Sequence, residues 1–144
     1  MRVVDARQTF LGIWLRRVLD GQELLVYGDG QQKRDLNYVD DAVEALLLAA
    51  ASDAAIGEIY NLGAADVISL RDLAALLVEL NGAGAYRLVP FPPEQKVIDI
   101  GDYYGDYGKI QQALGWQPRV SLREGLTRSL AFYRDHLWKY VGPA

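Results

Sequence analysis

The chain has 144 residues, a formal net charge of -4 at pH 7 and 51% hydrophobic residues. This length and composition predict one folded domain covering residues 1–144. The negative charge argues against nucleic acid and anionic membrane surfaces as partners. Since the chain has no cysteine, it has no disulfide or thiolate nucleophile, which suits a reducing compartment, and we expect a cytoplasmic protein.

Apolar residues at helical spacing predict a first helix over about residues 8–20, followed by a strand at 24–27. After a glycine-rich turn, a second strand is expected at 34–38 and a helix at 39–51. Asp40 and Asp41 suit the start of this helix, where carboxylates favour the unpaired amides and the positive dipole end. The helix is apolar almost all the way round, which indicates that other structure covers both of its sides.

The second half of the chain contains two capping boxes, at Ser69-Leu-Arg-Asp72 and Ser121-Leu-Arg-Glu124. They predict helices that run to about Leu80 and about Trp138. Four further segments follow from the same patterns: strands at 58–61 and 86–89, a mostly ordered loop at 90–106 and a short helix at 107–114.

The turn from Gly28 to Arg34 places two glycines and two cations directly after a strand. Backbone amides and a guanidinium in such a turn could hold a phosphate. On spacing alone, a hairpin turn with solvated charges is the commoner structure. Asp35 follows Arg34 and could orient its guanidinium.

Three aspartates, Asp99, Asp102 and Asp106, lie among tyrosines that could stack on a base or bond to a ribose. Their spacing does not match a calcium loop, and Asp106 suits a helix N-cap, so we expect no metal site. His136 is the single histidine and no Gly-x-Ser-x-Gly motif surrounds a serine, which gives little support to a hydrolase.

Together, four blocks resemble the NAD-dependent epimerase/dehydratase family, the extended short-chain dehydrogenase/reductases that act on nucleotide sugars. The blocks are Val26-Tyr-Gly-Asp-Gly-x-x-x-Arg-Asp-Leu-x-Tyr-Val-Asp-Asp41, Tyr60-Asn-Leu-Gly63, Leu114-Gly-Trp-x-Pro118, and Gly125-Leu with Tyr133. The resemblance implies a mixed α/β fold. It would comprise the carboxy-terminal substrate-binding domain with the last helix and strand of the Rossmann domain, the main Rossmann fold being missing.

The resemblance also implies a nucleotide-sugar site. Arg34 corresponds to the arginine that binds the diphosphate, and Lys96 is a looser match to a second cation. The segment containing Gln8 and Phe10 corresponds to the sugar and phosphate side of the pocket. The remaining implied lining residues are Val26, or its neighbour Leu25, beside the base, and Tyr103.

Two family features are absent from the sequence. It has no glycine-rich nucleotide loop, and each of its nine tyrosines lacks a lysine four residues later, so no Tyr-x-x-x-Lys pair exists. We therefore expect no catalytic or cofactor-binding residues here, and NAD only with a complementary cofactor domain, such as a separate chain. The resemblance implies a truncated relative; a gene fragment, a natural short protein and an engineered piece all stay open.

Two functions follow. The first is the UDP- or dTDP-sugar-binding portion of an epimerase or a dehydratase, not catalytic alone. The alternative is a self-associating remnant or protein-interaction module without sugar-nucleotide binding. Because the elements at 41–51 and 58–61 correspond to ones that pack on the cofactor domain of relatives, we expect homo-oligomers through residues 41–62.

Overall fold

The computed structural model describes residues 9–97 and 99–140. Its helices are α1 (Phe10–Leu19), α2 (Val39–Ala50), α3 (Leu70–Asn81), α4 (Pro93–Lys96), α5 (Gly108–Leu114) and α6 (Leu122–Tyr140), with a 3₁₀ turn at Asp53–Ala55. Its strands are β1 (Leu24–Tyr27), β2 (Lys33–Asp35), β3 (Val67–Ser69) and β4 (Tyr86–Val89). The fold is mixed α/β, as predicted.

The described residues divide into two compact units. Unit 1 comprises those up to Gln31, those from Ser69 to Asp99 and those from Leu126 onward; unit 2 comprises residues 32–68 and 100–125. The four boundaries fall just before β2, within β3, between Asp99 and Ile100, and within α6. The single-domain organisation expected from the sequence stays a prediction.

Unit 1 is organised around β1 and β4, which pair in parallel with Leu24 opposite Tyr86 and Tyr27 opposite Val89. Helix α3 contacts both strands, and α1 contacts α3 and β1. On each helix, apolar residues spaced three or four apart lie on one face, and this face is turned toward the core of the unit. The buried set is Trp14, Leu15, Val18, Leu24, Val26, Leu73, Ala74, Leu77, Leu126, Leu130 and Tyr133.

Both ends of α3 follow its local sequence. The Ser69 hydroxyl accepts a hydrogen bond from the Asp72 amide at 3.1 Å and donates one to the Asp72 carboxylate at 2.7 Å. Gly82 ends the helix in the left-handed conformation, with φ of 74°. The helix start predicted at Ser69 is confirmed, with Ser69 as the N-cap.

Unit 2 contains the paired strands β2 and β3 and a small core. Ala45 of α2, Ile110 of α5 and Trp116 are buried together. Partly buried apolar side chains surround this cluster, namely Leu48, Tyr60, Leu62, Tyr107 and Leu114. The core is small because α2 turns only one of its apolar faces toward it.

The structure corrects two predictions. Residues 58–61 form no strand, because a strand requires a hydrogen-bonded neighbour and none of the described residues pairs with them. Strand β2 stops at Asp35 instead of continuing to Tyr38. The described residues of the segment 90–106 are mostly loop, as expected, and include the short helix α4.

No helix in residues 9–97 or 99–140 combines the length and the apolar character needed to cross a bilayer.

Candidate functional site

The segment 101–105 lies alongside β2 in unit 2. The Tyr103 amide donates to the Lys33 carbonyl at 3.0 Å, and the Lys33 amide donates to the Asp102 carboxylate at 2.8 Å. A parallel β-bridge also pairs Arg34 with Tyr103. The backbone therefore brings the tyrosine-rich segment beside the basic end of the glycine turn.

The Arg34 guanidinium is anchored at one end only. Its Nη1 donates to the carbonyl of Lys33 at 2.7 Å and to the carbonyl of Gly101. A guanidinium carries five N–H donors, and Nη1 supplies two of them. The other edge, formed by Nε and Nη2, makes no hydrogen bond with residues 9–97 or 99–140. An anion with two oxygens could bind to that edge in bidentate fashion.

Asp35 does not orient Arg34 by pairing with it, so this expectation is wrong. Its Oδ2 atom instead accepts hydrogen bonds from the Gly105 amide at 2.9 Å and the Ala64 amide at 3.1 Å. The carboxylate therefore joins β2 to two other segments of unit 2. Both of these contacts are hydrogen bonds from backbone amides to the Asp35 carboxylate.

The glycine of the Tyr60-Asn-Leu-Gly63 block lies where the backbone crosses residue 105. A Cβ atom on Gly63 would clash with the Gly105 carbonyl, and a Cβ atom on Gly105 would clash with the Leu62 carbonyl. Only glycine fits at both positions without a backbone shift. This block is therefore explained by close backbone approach.

Asp41 has a similar structural role at the start of α2. It is 3% exposed, and its two carboxylate oxygens accept from the Arg119 and Val120 amides, each at 3.1 Å. The carbonyl of Asp41 accepts from Nε1 of Trp116 at 2.9 Å. The block that ends at Asp41 is thus in direct contact with the block Leu114-Gly-Trp-x-Pro118. The Asp41 carboxylate lies at the amino end of α2, as expected, and also bonds to the distant residues Arg119 and Val120.

Aromatic rings are exposed beside this arrangement. Tyr103 is 62% and Tyr104 56% exposed. Such rings offer faces for stacking and hydroxyls for hydrogen bonds. The geometry in unit 2 thus combines a partly buried arginine with exposed aromatic rings.

The NAD dependent epimerase/dehydratase family model matches residues 5–63. A dTDP-glucose 4,6-dehydratase from an Actinoplanes species is 35% identical over 127 residues, which cover 88% of this chain and 39% of that relative. The chain belongs to the NAD-dependent epimerase/dehydratase family. It fits a carboxy-terminal portion of these enzymes and spans about two fifths of the length of the first curated relatives.

The matching parts of solved structures of the family have the same fold as this chain. A UDP-glucose 4-epimerase from Thermotoga maritima, solved with UDP-glucose, superposes with a TM-score of 0.74 at 34% identity, covering 90% of this chain and 40% of that one. A dTDP-glucose 4,6-dehydratase from Streptomyces venezuelae, solved with NAD, gives a TM-score of 0.78 at 31% identity, covering 91% and 40%. The predicted fold class, part of an extended short-chain dehydrogenase/reductase, is confirmed.

Of the residues that the family resemblance suggested, the structure brings Arg34 and Tyr103 together in unit 2. Phe10 and Lys96 belong to unit 1, as does Val26. Phe10 is partly buried and packs edge-on against Trp14, with ring centroids 5.4 Å apart. Lys96 is exposed at the end of α4. Gln8 lies outside the described residues.

Val26 is 0% exposed, so its side chain offers no surface to a ligand in this structure. It lies in the core of unit 1, where its Cγ1 is so close to Gly30 that a Cβ atom there would clash with it. Its neighbour Leu25, the other residue considered for the base, is partly exposed. Alternation along β1 explains this difference, because successive side chains face opposite sides of a strand.

Two of the clustered aspartates accept hydrogen bonds from backbone amides, one distant in sequence and one local. Asp102 accepts from the Lys33 amide, and Asp106 accepts from the Gly108 amide at 2.8 Å at the start of α5. Among residues 9–97 and 99–140, no group of three or more His, Asp or Glu side chains is arranged to hold a metal ion.

Sequence reasoning missed the contacts of Asp35 and Asp41. One signal was available for Asp41, because it lies on the same helical face as Ala45 and Leu48, where a carboxylate is expected only if it is hydrogen-bonded. No comparable signal exists for Asp35, since its partners are 29 and 70 residues away in the sequence.

Proposed function

We propose that the chain is the nucleotide-sugar-binding portion of an epimerase or dehydratase, and that Arg34 holds the diphosphate. The observation that supports this most directly is the orientation of Arg34. Two carbonyls fix Nη1, while the Nε and Nη2 edge makes no hydrogen bond with the described residues. A diphosphate supplies the paired oxygens that such an edge binds.

Within unit 2, Tyr103 supplies an exposed ring next to Arg34. For Lys96, Gln8 and Phe10, a role in sugar-nucleotide binding stays an expectation from the family resemblance. Of the two residues that the resemblance offers beside the base, Leu25 is the better candidate, because it is partly exposed and Val26 is fully buried.

Catalysis is proposed to depend on a cofactor domain outside this sequence. None of the nine tyrosines has a lysine four residues later, so these residues supply no Tyr-x-x-x-Lys pair. NAD would be bound by the complementary domain, on a separate chain or another part of a longer one. The portion described here would select and hold the sugar nucleotide.

Isothermal titration calorimetry with UDP-glucose and dTDP-glucose tests this proposal. Replacing Arg34 with alanine should weaken binding at least tenfold, since a hydrogen bond to a charged group contributes about 1.5–3 kcal/mol. Arg34→Lys should recover only part of the affinity, because an ammonium cannot bind in bidentate fashion.

Arg119→Ala is the matched control for Arg34→Ala. Arg119 is an exposed cation of the same unit, paired with Glu44 at 3.1 Å, so its removal changes the net charge equally. Its affinity for both sugar nucleotides should stay within twofold of the unmodified protein. Absence of binding by the unmodified protein, or equal affinity after Arg34→Ala, would reject the proposal.

We also propose a second function, self-association of the chain through residues 41–62. Helix α2 turns Ala45 and Leu48 toward Trp116, while Leu46 and Leu47 on another face are 68% and 65% exposed. Ile56 and Ile59 add side chains that are 78% and 81% exposed. Full burial of each such side chain contributes about 1.5–3 kcal/mol, which favours covering them with a second copy.

Light scattering at micromolar concentration tests self-association. We expect a mass of at least two chains for the unmodified protein and a monomer for the double variant Leu46→Glu, Leu47→Glu. Glutamate keeps helix propensity while adding charge to the face. Leu88→Glu, at a site 44% exposed in β4, is the control and should leave the mass unchanged. A monomeric unmodified protein would reject this function.

A further inference from the structure

Asp35 connects three segments through a single oxygen atom. Its Oδ2 accepts from the Ala64 amide, 29 residues away, and from the Gly105 amide, 70 residues away, both in partly buried surroundings. Bonds between an ionised acceptor and amide donors are about twice as strong as neutral ones. The carboxylate is thus a strong, specific link between β2 and residues 64 and 105.

The segments that Asp35 joins are closely packed. Gly63 and Gly105 approach each other so closely that neither has room for a Cβ atom, and a Cβ atom on Gly63 would also lie 3.1 Å from Oδ2 of Asp35. Removing the carboxylate would leave the Ala64 and Gly105 amides without this acceptor, which costs free energy.

The link lies close to the proposed diphosphate site in sequence and in space. Gly105 follows Tyr103 by two residues, and the Tyr103 amide bonds to the Lys33 carbonyl. The Gly101 carbonyl, at the other end of this segment, accepts from Nη1 of Arg34. Any displacement of residues 101–105 would therefore remove one of the two acceptors that fix the guanidinium.

We propose that Asp35 is a positioning residue for the diphosphate site, an inference that rests on the proposed function. By holding Gly105 and Ala64, its carboxylate keeps Tyr103 paired with Lys33 and keeps the Gly101 carbonyl in place to fix Nη1 of Arg34. The Nε and Nη2 edge is then held in one orientation before a ligand arrives. Asp35 itself does not contact the ligand.

Amide hydrogen exchange measured by NMR tests the structural part without any ligand. In Asp35→Ala, the Gly105 and Ala64 amides should lose protection directly. The Tyr103 amide, which does not bond to Asp35, should also exchange at least tenfold faster. Protection of Leu24 and Gly28, whose amides bond to Ala85 and Val89 in unit 1, reports whether the chain is still folded.

Two further variants keep the test decisive. Asp35→Asn retains an acceptor oxygen without charge, so the Gly105 and Tyr103 amides should lose protection together, but less than in Asp35→Ala. This milder variant still gives a result if Asp35→Ala does not fold. Asp41→Ala removes a carboxylate that also holds two amides of unit 2, and should expose Arg119 and Val120 while leaving Tyr103 protected. If Gly105 loses protection in either Asp35 variant while Tyr103 stays within twofold, the proposal is overturned.

Calorimetry with UDP and with dTDP completes the test. For the nucleotide that the unmodified protein binds, Asp35→Asn should weaken binding about three- to tenfold, and Asp41→Asn should leave it within twofold. Unchanged affinity in a variant whose Tyr103 amide has lost protection would overturn the positioning role while the proposed function stands. Failure of the unmodified protein to bind either nucleotide would reject the proposed function, and with it the role of Asp35 in that site.

Discussion

The two units of the molecule are stabilised in different ways. Unit 1 buries eleven apolar side chains on α1, α3, α6 and β1, and its helices follow regular apolar spacing. Unit 2 buries four apolar side chains, those of Ala45, Ile110, Trp116 and Leu122, and its loops are held through backbone amides by side chains such as Asp35 and Asp41. Unit 1 should therefore be sensitive to lost volume, and unit 2 to lost acceptors.

The largest expected effect is that of Leu77→Ala in unit 1. Leu77 is 0% exposed on the inner face of α3, so its truncation leaves a cavity and should lower the free energy of unfolding by about 2–5 kcal/mol. Urea denaturation followed by circular dichroism measures the change. Leu77→Met, which nearly conserves volume, should cost less than about 1.5 kcal/mol. Equal losses in the two variants would show that volume does not control this unit.

In unit 2, Asp41→Ala should cost about 2–4 kcal/mol, because the Arg119 and Val120 amides lose their acceptor. Asp41→Asn keeps an acceptor and should recover part of the loss. The control is Asp53→Ala, which removes an exposed carboxylate of the same unit and should cost less than about 1 kcal/mol. The same urea experiment compares all three. An equal cost at Asp53 would show that the loss of a negative charge, and not the loss of the amide contacts, accounts for the effect.

The same contrast explains what could be predicted from the sequence. The signals for unit 1 are local: α3 is marked by Ser69 and Gly82 at its two ends, and β1 by four consecutive apolar or aromatic residues. The roles of Asp35 and Asp41 depend on residues far along the chain, so no local pattern contains them. The strand predicted at 58–61 fails for the same reason, since β-structure depends on a partner as well as on propensity.

The candidate site shows the same division. Arg34 could be selected from its glycine-rich turn and from the family resemblance, but neither predicted that Nη1 would be held by the Gly101 carbonyl. The family resemblance implies Val26 as a lining residue, but neither the resemblance nor strand propensity specifies which face of β1 is covered. Its complete burial is a property of the packing of unit 1.

A smaller effect is expected at the start of α3. Ser69→Ala removes the acceptor of the Asp72 amide and should cost about 1 kcal/mol. Ser69→Thr retains the cap and should cost less. The loss can be measured as a shift of the urea midpoint. This cap is a polar contact in unit 1. If its loss lowered the free energy of unfolding as much as Asp41→Ala does, unit 1 would depend on hydrogen-bond acceptors as much as unit 2, and the proposed contrast between the units would be wrong.

The smallest effect is the alkaline pH dependence that Tyr133 of unit 1 should cause. Burial, and secondarily the charge of Tyr140, raise the pKa of Tyr133 above its ordinary value of 10.0. The contribution of the neutral phenol to stability is therefore complete below pH 10.0 and is lost as the pH rises from there through the higher pKa of the folded state. Urea midpoints measured from pH 8 to about pH 11 should fall less steeply in Tyr133→Phe than in the unmodified protein.

Tyr140→Phe, which removes only the secondary cause of the raised pKa, should have an intermediate slope. If the urea midpoint fell equally steeply with pH in all three proteins, the Tyr133 phenol would be in contact with solvent in the folded chain. The apolar core of unit 1 would then not include Tyr133.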